Sequence, residues 1–228
     1  MADTTGARRG GTGRKNRAKP SAKSEPATAR RPRSRERFER RSAEVVDIAA
    51  RVFAERGYHA TSIDDLVEAT GLARGGLYYY IGGKQDLLIR IHARFIEPLL
   101  DVAREIAARH EPPDVELRLL ALALAQDIAE YRDQVTVFLH EWRIIEHAPE
   151  WADIRKARKE FEDIIAACLR RGVKQRTFRA VDERTTMRGF LGMINYTYQW
   201  LNPNGRTPAV EIADRFADIF LHGILATP

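Results

Sequence analysis

Gly57-Tyr58-His59-Ala60-Thr61-Ser62-Ile63-Asp64-Asp65-Leu66, continuing through Ala69-Thr70-Gly71-Leu72-Ala73-Arg74-Gly75-Gly76-Leu77-Tyr78-Tyr79-Tyr80 to Gly82-Gly83-Lys84, is the stretch that decides the fold. Residues 57–62 read as a turn, and Thr61 or Ser62 can cap a helix whose first turn carries Asp64 and Asp65, the charge that a helix N-terminus favours. Gly71 stops that helix. After one tight turn, Leu72 to Tyr80 fits a short third helix, and Gly82-Gly83 separates it from a fourth that opens at Lys84. Helix, glycine turn and helix with an aromatic and basic face make a helix-turn-helix arrangement.

Upstream, Val45, Ile48, Ala49, Val52 and Phe53 form one apolar stripe flanked by charges, which predicts a first helix from about Phe38 to Gly57. Downstream the chain reads as helix after helix with no alternating strand pattern. Leu87, Ile91, Phe95 and Leu99 continue an apolar face in the fourth helix, where Pro98 is expected to kink or end it. Pro112-Pro113 closes that segment. Further helices are expected over Leu117–Ile128, Gln134–His147, Pro149–Arg171 (ending at Gly172), Arg184–Leu201 and Pro208–Leu225. The fold class is therefore all-α.

Charge is unevenly placed. Of a net +6, residues 1–37 carry twelve Lys/Arg against three acids, a net of +9, and the remainder carries −3. That extension has no Val, Ile, Leu, Phe, Tyr or Trp and cannot bury enough apolar surface to offset its ordering entropy, so a disordered basic tail is expected. It is either a plain solvated extension or a basic arm that adds non-specific phosphate affinity or reaches a minor groove. It also lacks the apolar stretch of a secretory signal. With Cys168 as the one cysteine, an intramolecular disulfide or cysteine-based zinc site is excluded, and a cytoplasmic setting is the natural reading.

Catalytic classes find no support. The six histidines show no paired-ligand spacing for a metal, and no Gly-x-Ser-x-Gly, phosphate-loop or dinucleotide fingerprint occurs. No catalytic residue, metal or cofactor is expected. No uninterrupted apolar run is long enough to span a bilayer. Residues 189–201 carry no charge and present apolar side chains all round, which requires burial on two sides and points to a subunit contact. Ile212, Phe216, Ile219 and Phe220 repeat at helical spacing in the last helix, again with more apolar surface than a monomer needs.

The quoted stretch, extended from Ala54-Glu55-Arg56 to Gly83-Lys84-Gln85-Asp86-Leu87-Leu88, strongly resembles the DNA-binding domain of TetR family transcriptional regulators. Two positions depart from the usual pattern: Ala73 replaces a Ser or Thr that caps the recognition helix, and Ile81 stands where Phe is usual. The resemblance implies a helix-turn-helix domain over 38–84, following the tail at 1–37, and an effector-binding and dimerisation domain over 85–228. It places Thr61, Ser62, Tyr78 and Lys84 where hydroxyls, ammonium groups and free backbone N–H groups bind phosphate oxygens. Arg74 can fork onto guanine O6 and N7, Gly75 lets the backbone approach the groove, and Tyr79 reaches bases or a thymine methyl. Leu77 and Tyr80 are core positions. The family dimerises through its last two long helices, so a homodimer on a palindromic operator in double-stranded DNA is implied.

Segments 138–143, 149–151 and 192–205 are similar to C-terminal domains of TetR-like repressors of fatty-acid and sterol catabolism, whose effectors are acyl-CoA thioesters. Such a ligand needs an apolar slot for the chain and cations for the phosphates. The candidate contacts are Trp142, Arg143, Arg155, Arg158, Asn195, Tyr196 and Trp200, although Trp142 and Trp200 fit a core or an interface better than a ligand contact. The resulting expectation is a repressor released by a small-molecule effector of the acyl-CoA type. The alternative is an architectural, largely sequence-independent DNA-binding protein dominated by its basic tail.

Overall fold

The computed structural model of the chain describes residues 30–145, 149–202 and 205–225. Its described residues form nine α-helices: α1 (Arg30–Arg56), α2 (Ile63–Thr70), α3 (Arg74–Tyr80), α4 (Lys84–Ala108), α5 (Pro113–Glu130), α6 (Arg132–Ile145), α7 (Ala152–Lys174), α8 (Glu183–Asn195) and α9 (Ala209–Ile224), with 3-10 turns at Pro149–Trp151 and Tyr196–Gln199. The one strand-like feature among them is a single bridge between Phe178 and Leu225.

Local chemistry sets the first three helix ends. The Ser62 hydroxyl accepts from the Asp65 amide while the Asp65 carboxylate accepts from the Ser62 amide, a reciprocal cap that also holds the Asp65 carboxyl below its ordinary value. Gly71 closes α2 in the left-handed region at φ 64°, where a Cβ is unfavourable. Ala73, at the head of α3, makes no side-chain cap, which costs that short helix about 1 kcal/mol.

Several boundaries differ from the sequence reading. α1 begins at Arg30, inside the segment assigned to the tail; residues 1–29 of that tail lie outside the described residues. Residues 34–37 are exposed, and the Arg35–Glu39 pair one helical turn apart supports helix there. α4 runs through Pro98, because that ring lies on the exposed side while Phe95, Ile96, Leu99 and Leu100 on either side of it are buried. The charge-free run is not one helix to Leu201: α8 ends at Asn195 and the chain tightens into the 3-10 turn, which leaves Tyr196 and Trp200 facing outward.

A single core extends from Val45 in α1 to Ile224 in α9. α4 is its axis, packing on α1 at its start and on α5, α6 and α7 beyond, while α5 packs on α9. Gly172 sits within α7 rather than ending it, and the reason is steric: a Cβ there would fall inside the ring of Phe178, which is buried and whose amide donates to the Gly172 carbonyl at 3.1 Å. Gly172→Ala is therefore expected to lower stability by about 1–3 kcal/mol through overpacking, read as a lower urea midpoint. Equal midpoints would mean that the ring yields freely. Cys168 is buried beside it, its thiol directed at the Pro113 carbonyl and pushed up to about 12 by burial with Glu116 adding, which makes it an inert core group.

Candidate nucleic-acid interface and ligand cavity

α3 presents its outer face from the angle fixed by the α2 cap and the Gly71 turn. Leu77 is fully buried and anchors the helix, while Tyr78 and Tyr79 are 46% and 69% exposed. Gly75 is also exposed, and an added Cβ would meet nothing within the chain, so no internal packing explains the glycine. Arg74 opens the helix and bonds Asp64 at 2.9 Å. Both side chains are mostly exposed, so the pair contributes little in water and leaves the guanidinium available. Ser62 is exposed with its hydroxyl committed to the cap.

Two of the expected phosphate ligands are placed differently. Thr61 is buried, and both its hydroxyl and its amide donate to the Gly57 carbonyl, at 2.8 and 3.2 Å, so it ties the α1–α2 turn instead of facing a phosphate. Lys84 is half-buried, with its ammonium 4.3 Å above the centre of the Tyr58 ring and 3.5 Å from the His59 carbonyl. Burial holds that ammonium below its ordinary value, with Glu141 and Asp65 opposing.

Glu141 comes from α6 and lies 3.8 Å from His59 Nε2, so this cluster is where the C-terminal helices touch the helix-turn-helix. Further along α6, Gln134 donates to Asp47 of α1 at 2.9 Å, and Arg94 of α4 forks onto the same carboxylate. The other face of α6 lines a ligand-sized space.

That space has two parts. An outer cavity of about 900 Å³ is lined by Trp142 of α6, Arg155, Arg158, Lys159, Glu162, Asp163 and Ala166 of α7, and by Glu183, Arg184, Met187, Arg188, Leu191, Gly192 and Asn195 of α8. An inner slot of about 60 Å³ is walled by Phe95, Ile96, Leu99, Leu124, Ile128, Val135, Phe138, Leu139 and Phe161. Arg158, Glu162, Leu191 and Asn195 line both, so they form the neck between a charged mouth and an apolar end. In the neck Arg158 stacks 3.7 Å over the Trp142 ring and bonds Glu162 at 2.9 Å.

Matches to known families cover both halves of the chain. The model described as bacterial regulatory proteins, tetR family, matches residues 45–91, and the one described as tetracyclin repressor-like, C-terminal domain, matches residues 110–224. The chain belongs to the TetR family. Among its relatives, the HTH-type transcriptional repressor KstR2 of Rhodococcus jostii (strain RHA1) is 28% identical over 82% of this chain and 92% of that protein. The structure of the ketosteroid transcriptional regulator KstR2 of Mycobacterium tuberculosis shares the fold with a TM-score of 0.78, at 24% identity over 82% of this chain and 96% of that one. AibR, solved in complex with isovaleryl coenzyme A and operator DNA, superimposes with a TM-score of 0.70 at 25% identity, covering 78% and 97%.

Of the ligand contacts expected for this TetR-family chain, the structure brings together Trp142, Arg155, Arg158 and Asn195. It does not bring Arg143, Tyr196 or Trp200 to them. Arg143 is exposed and lines neither cavity, while Tyr196 and Trp200, 65% and 50% exposed, leave α8 on its outer side, where Trp200 meets Phe216 of α9. The reading from residues missed Arg184, Arg188 and Leu191. With Asn195 they recur at helical spacing along one face of α8, and that pattern was the available signal. The Asn195 side chain has no hydrogen-bond partner among the described residues although the residue is partly buried in the neck, so its carboxamide is available to a ligand.

Proposed function

We propose that this TetR-family protein is a cytoplasmic homodimeric repressor that binds a palindromic operator and is released when an acyl-CoA thioester fills the cavity between α6, α7 and α8. The single observation that carries the reading is the neck: Arg158 and Asn195 sit where a charged mouth meets an apolar slot. A thioester has the same polarity, with phosphates at one end, an amide-bearing arm and an apolar acyl group at the other. Arg155, Arg158, Lys159, Arg184 and Arg188 face the phosphates, Asn195 meets the polar arm, and the acyl end enters between Phe95, Phe138 and Phe161. The likeness to AibR, whose solved complex holds isovaleryl coenzyme A and operator DNA, supports this ligand class. No cofactor is needed in this scheme.

Transmission follows from what the cavity walls also touch. α4 carries Phe95, Ile96 and Leu99 into the slot and begins at Lys84 against the helix-turn-helix, without a break at Pro98. α6 carries Phe138 and Trp142 on the ligand side and Glu141 on the His59 side. A ligand that fits better when these helices shift moves the DNA-binding units of the two protomers, and it can change operator affinity only by that difference in fit. The second protomer covers the apolar surface of the 3-10 turn and α9, where Tyr196, Trp200 and Ile219 are exposed.

On the DNA side, Arg74 reads a base, Gly75 admits close approach, Tyr78 and Tyr79 flank the contact, and Ser62 lies at the phosphate margin, while Lys84 holds the α4 start against Tyr58. Arg74→Ala is expected to cost about 1–3 kcal/mol on the operator and little on random DNA. Fluorescence anisotropy on both duplexes checks it, and equal losses would remove Arg74 from base reading. The test of the whole reading is anisotropy on DNA upstream of the protein's own gene, with random DNA as control and a panel of acyl-CoA thioesters titrated in. Selective binding reversed by one thioester supports it. Selective binding that no thioester touches discards the ligand class, and absence of selectivity discards the repressor.

A further inference from the structure

Beside the recognition helix lies a groove of about 710 Å³ that shares Tyr79 with the proposed operator contacts. Its walls are the first turns of α1, with Arg37, Phe38, Arg40 and Arg41, and the outer edge of α3, with Tyr79 and Tyr80. Two facts make it more than a charged helix end. First, the α1 extension is fixed to the recognition helix: the Phe38 ring stacks on Tyr80 with centroids 5.3 Å apart and meets the edge of Tyr79 at the same distance. Second, its charge is unbalanced. Residues 30–41 hold seven arginines against two glutamates.

The individual partners show where positive charge remains. Glu44, the acid of the groove, is held by Arg41 at 2.8 Å and approached by Arg40 at 4.0 Å; Arg41 also donates to the Thr70 carbonyl at the end of α2. Arg35 is taken by Glu39. Arg37 is exposed and has no ion-pair partner among the described residues, and Arg40 keeps only the long contact. Two largely uncommitted guanidinium groups thus line a groove whose opposite wall is an exposed tyrosine of the recognition helix.

We propose that this groove is a second DNA contact, a seat for the phosphodiester backbone that flanks the major-groove site, with Arg37 and Arg40 as its phosphate ligands and Tyr79 as its aromatic wall. The inference rests on the reading of α3 as the DNA-facing helix. A duplex engaged by Tyr79 carries its backbone past the α1 extension, and the Phe38 clamp holds Arg37 and Arg40 on that side. Contacts to phosphate add affinity without sequence preference, and each one released to solvent lowers the salt dependence of binding.

The test uses the full chain in anisotropy titrations across a range of salt concentrations, on the upstream DNA and on random duplex. R37A/R40A is compared with R37K/R40K, and helical content is followed by circular dichroism. The expected result is that R37A/R40A, which removes four phosphate contacts per homodimer, lowers the slope of log affinity against log salt by about 3 to 4 on both duplexes with unchanged helicity. R37K/R40K keeps the wild-type slope. An unchanged slope in R37A/R40A overturns the groove as a phosphate seat even where the wild type still prefers the upstream DNA, and the repressor reading then stands alone. A lowered slope in a protein that shows no preference for upstream DNA supports the groove and removes the repressor reading.

Discussion

Replacing Arg158 by alanine is expected to leave operator affinity close to wild type and to weaken thioester-driven release by about 1.5–3 kcal/mol, the range for a hydrogen bond to a charged group, since Arg158 and Glu162 are partly buried. The size comes from three roles that one side chain combines. Arg158 is a cation at the neck, a plate stacked over Trp142, and the partner of Glu162. Its removal takes away a cation and leaves Glu162 uncompensated in the passage that the proposed anionic thioester would use. The measurement is the thioester concentration that half-releases a labelled operator. Arg158→Lys keeps the charge without the planar fork and is expected to fall between wild type and alanine. If Arg158→Ala is released at the wild-type concentration, the neck does not bind the effector.

The second large effect is on stability. Asp127 of α5 is buried with Oδ2 lacking a partner among the described residues, and burial, with Glu130 adding, pushes its carboxyl up to about 8. An ordinary carboxyl titrates near 3.8. The folded state therefore holds a proton that the unfolded chain has given up, and this contribution is complete below about pH 4 and lost as the pH rises through about 8. Asp127→Asn keeps the neutral form at every pH. Its stability relative to wild type is expected to rise by about 1.4 kcal/mol per pH unit across that window, several kcal/mol in all. Urea midpoints of both proteins at successive pH values between 4 and 8 read the difference directly.

His92 works in the opposite direction, yet it cancels from that comparison because both proteins contain it. It is buried between Phe138 and Trp151, its Nε2 has no partner among the described residues, and burial lowers it to about 4. Its contribution is present above about pH 6.5 and lost as the pH falls through about 4. Parallel pH profiles for wild type and Asp127→Asn would show that the Asp127 carboxyl is ionised in the folded protein.

Much of the DNA-facing half was legible in the residues, since its geometry is local. A serine before Ile63-Asp64-Asp65, a glycine at 71 and a pair of glycines before Lys84 each act within one turn of chain, and the helices start and stop where those groups demand. Thr61 shows the limit of the same reasoning. Its side chain can cap or face solvent equally well on sequence grounds, and only the packing of the α1–α2 turn commits it to the Gly57 carbonyl.

The ligand cavity was legible only in its chemistry. That cations and aromatics stand near an apolar slot follows from composition along α6 and α7, but which of them converge depends on how α8 lies across α7. That crossing gathers Arg158, Asn195 and the unforeseen Arg184 and Arg188, and it turns Tyr196 and Trp200 outward. Pro98 and Gly172 carry the same lesson. A proline is a helix breaker and a glycine a helix stop by local rules, but burial of Phe95, Ile96, Leu99 and Leu100 keeps α4 intact, and the Phe178 ring needs the space that Gly172 leaves.

The amino-acid sequence by itself determined the helical class and the helix-turn-helix with Arg74 at the head of its exposed helix, because caps, glycine turns and apolar periodicity act over a few residues; the family came from the resemblance of residues 54–88 to a known pattern. The tertiary structure alone decided the shape of the cavity, the seat of Lys84 over Tyr58 and the clamp of Phe38 on Tyr79 and Tyr80. Those depend on contacts between residues far apart in the chain, whose geometry is set by packing rather than by local propensity.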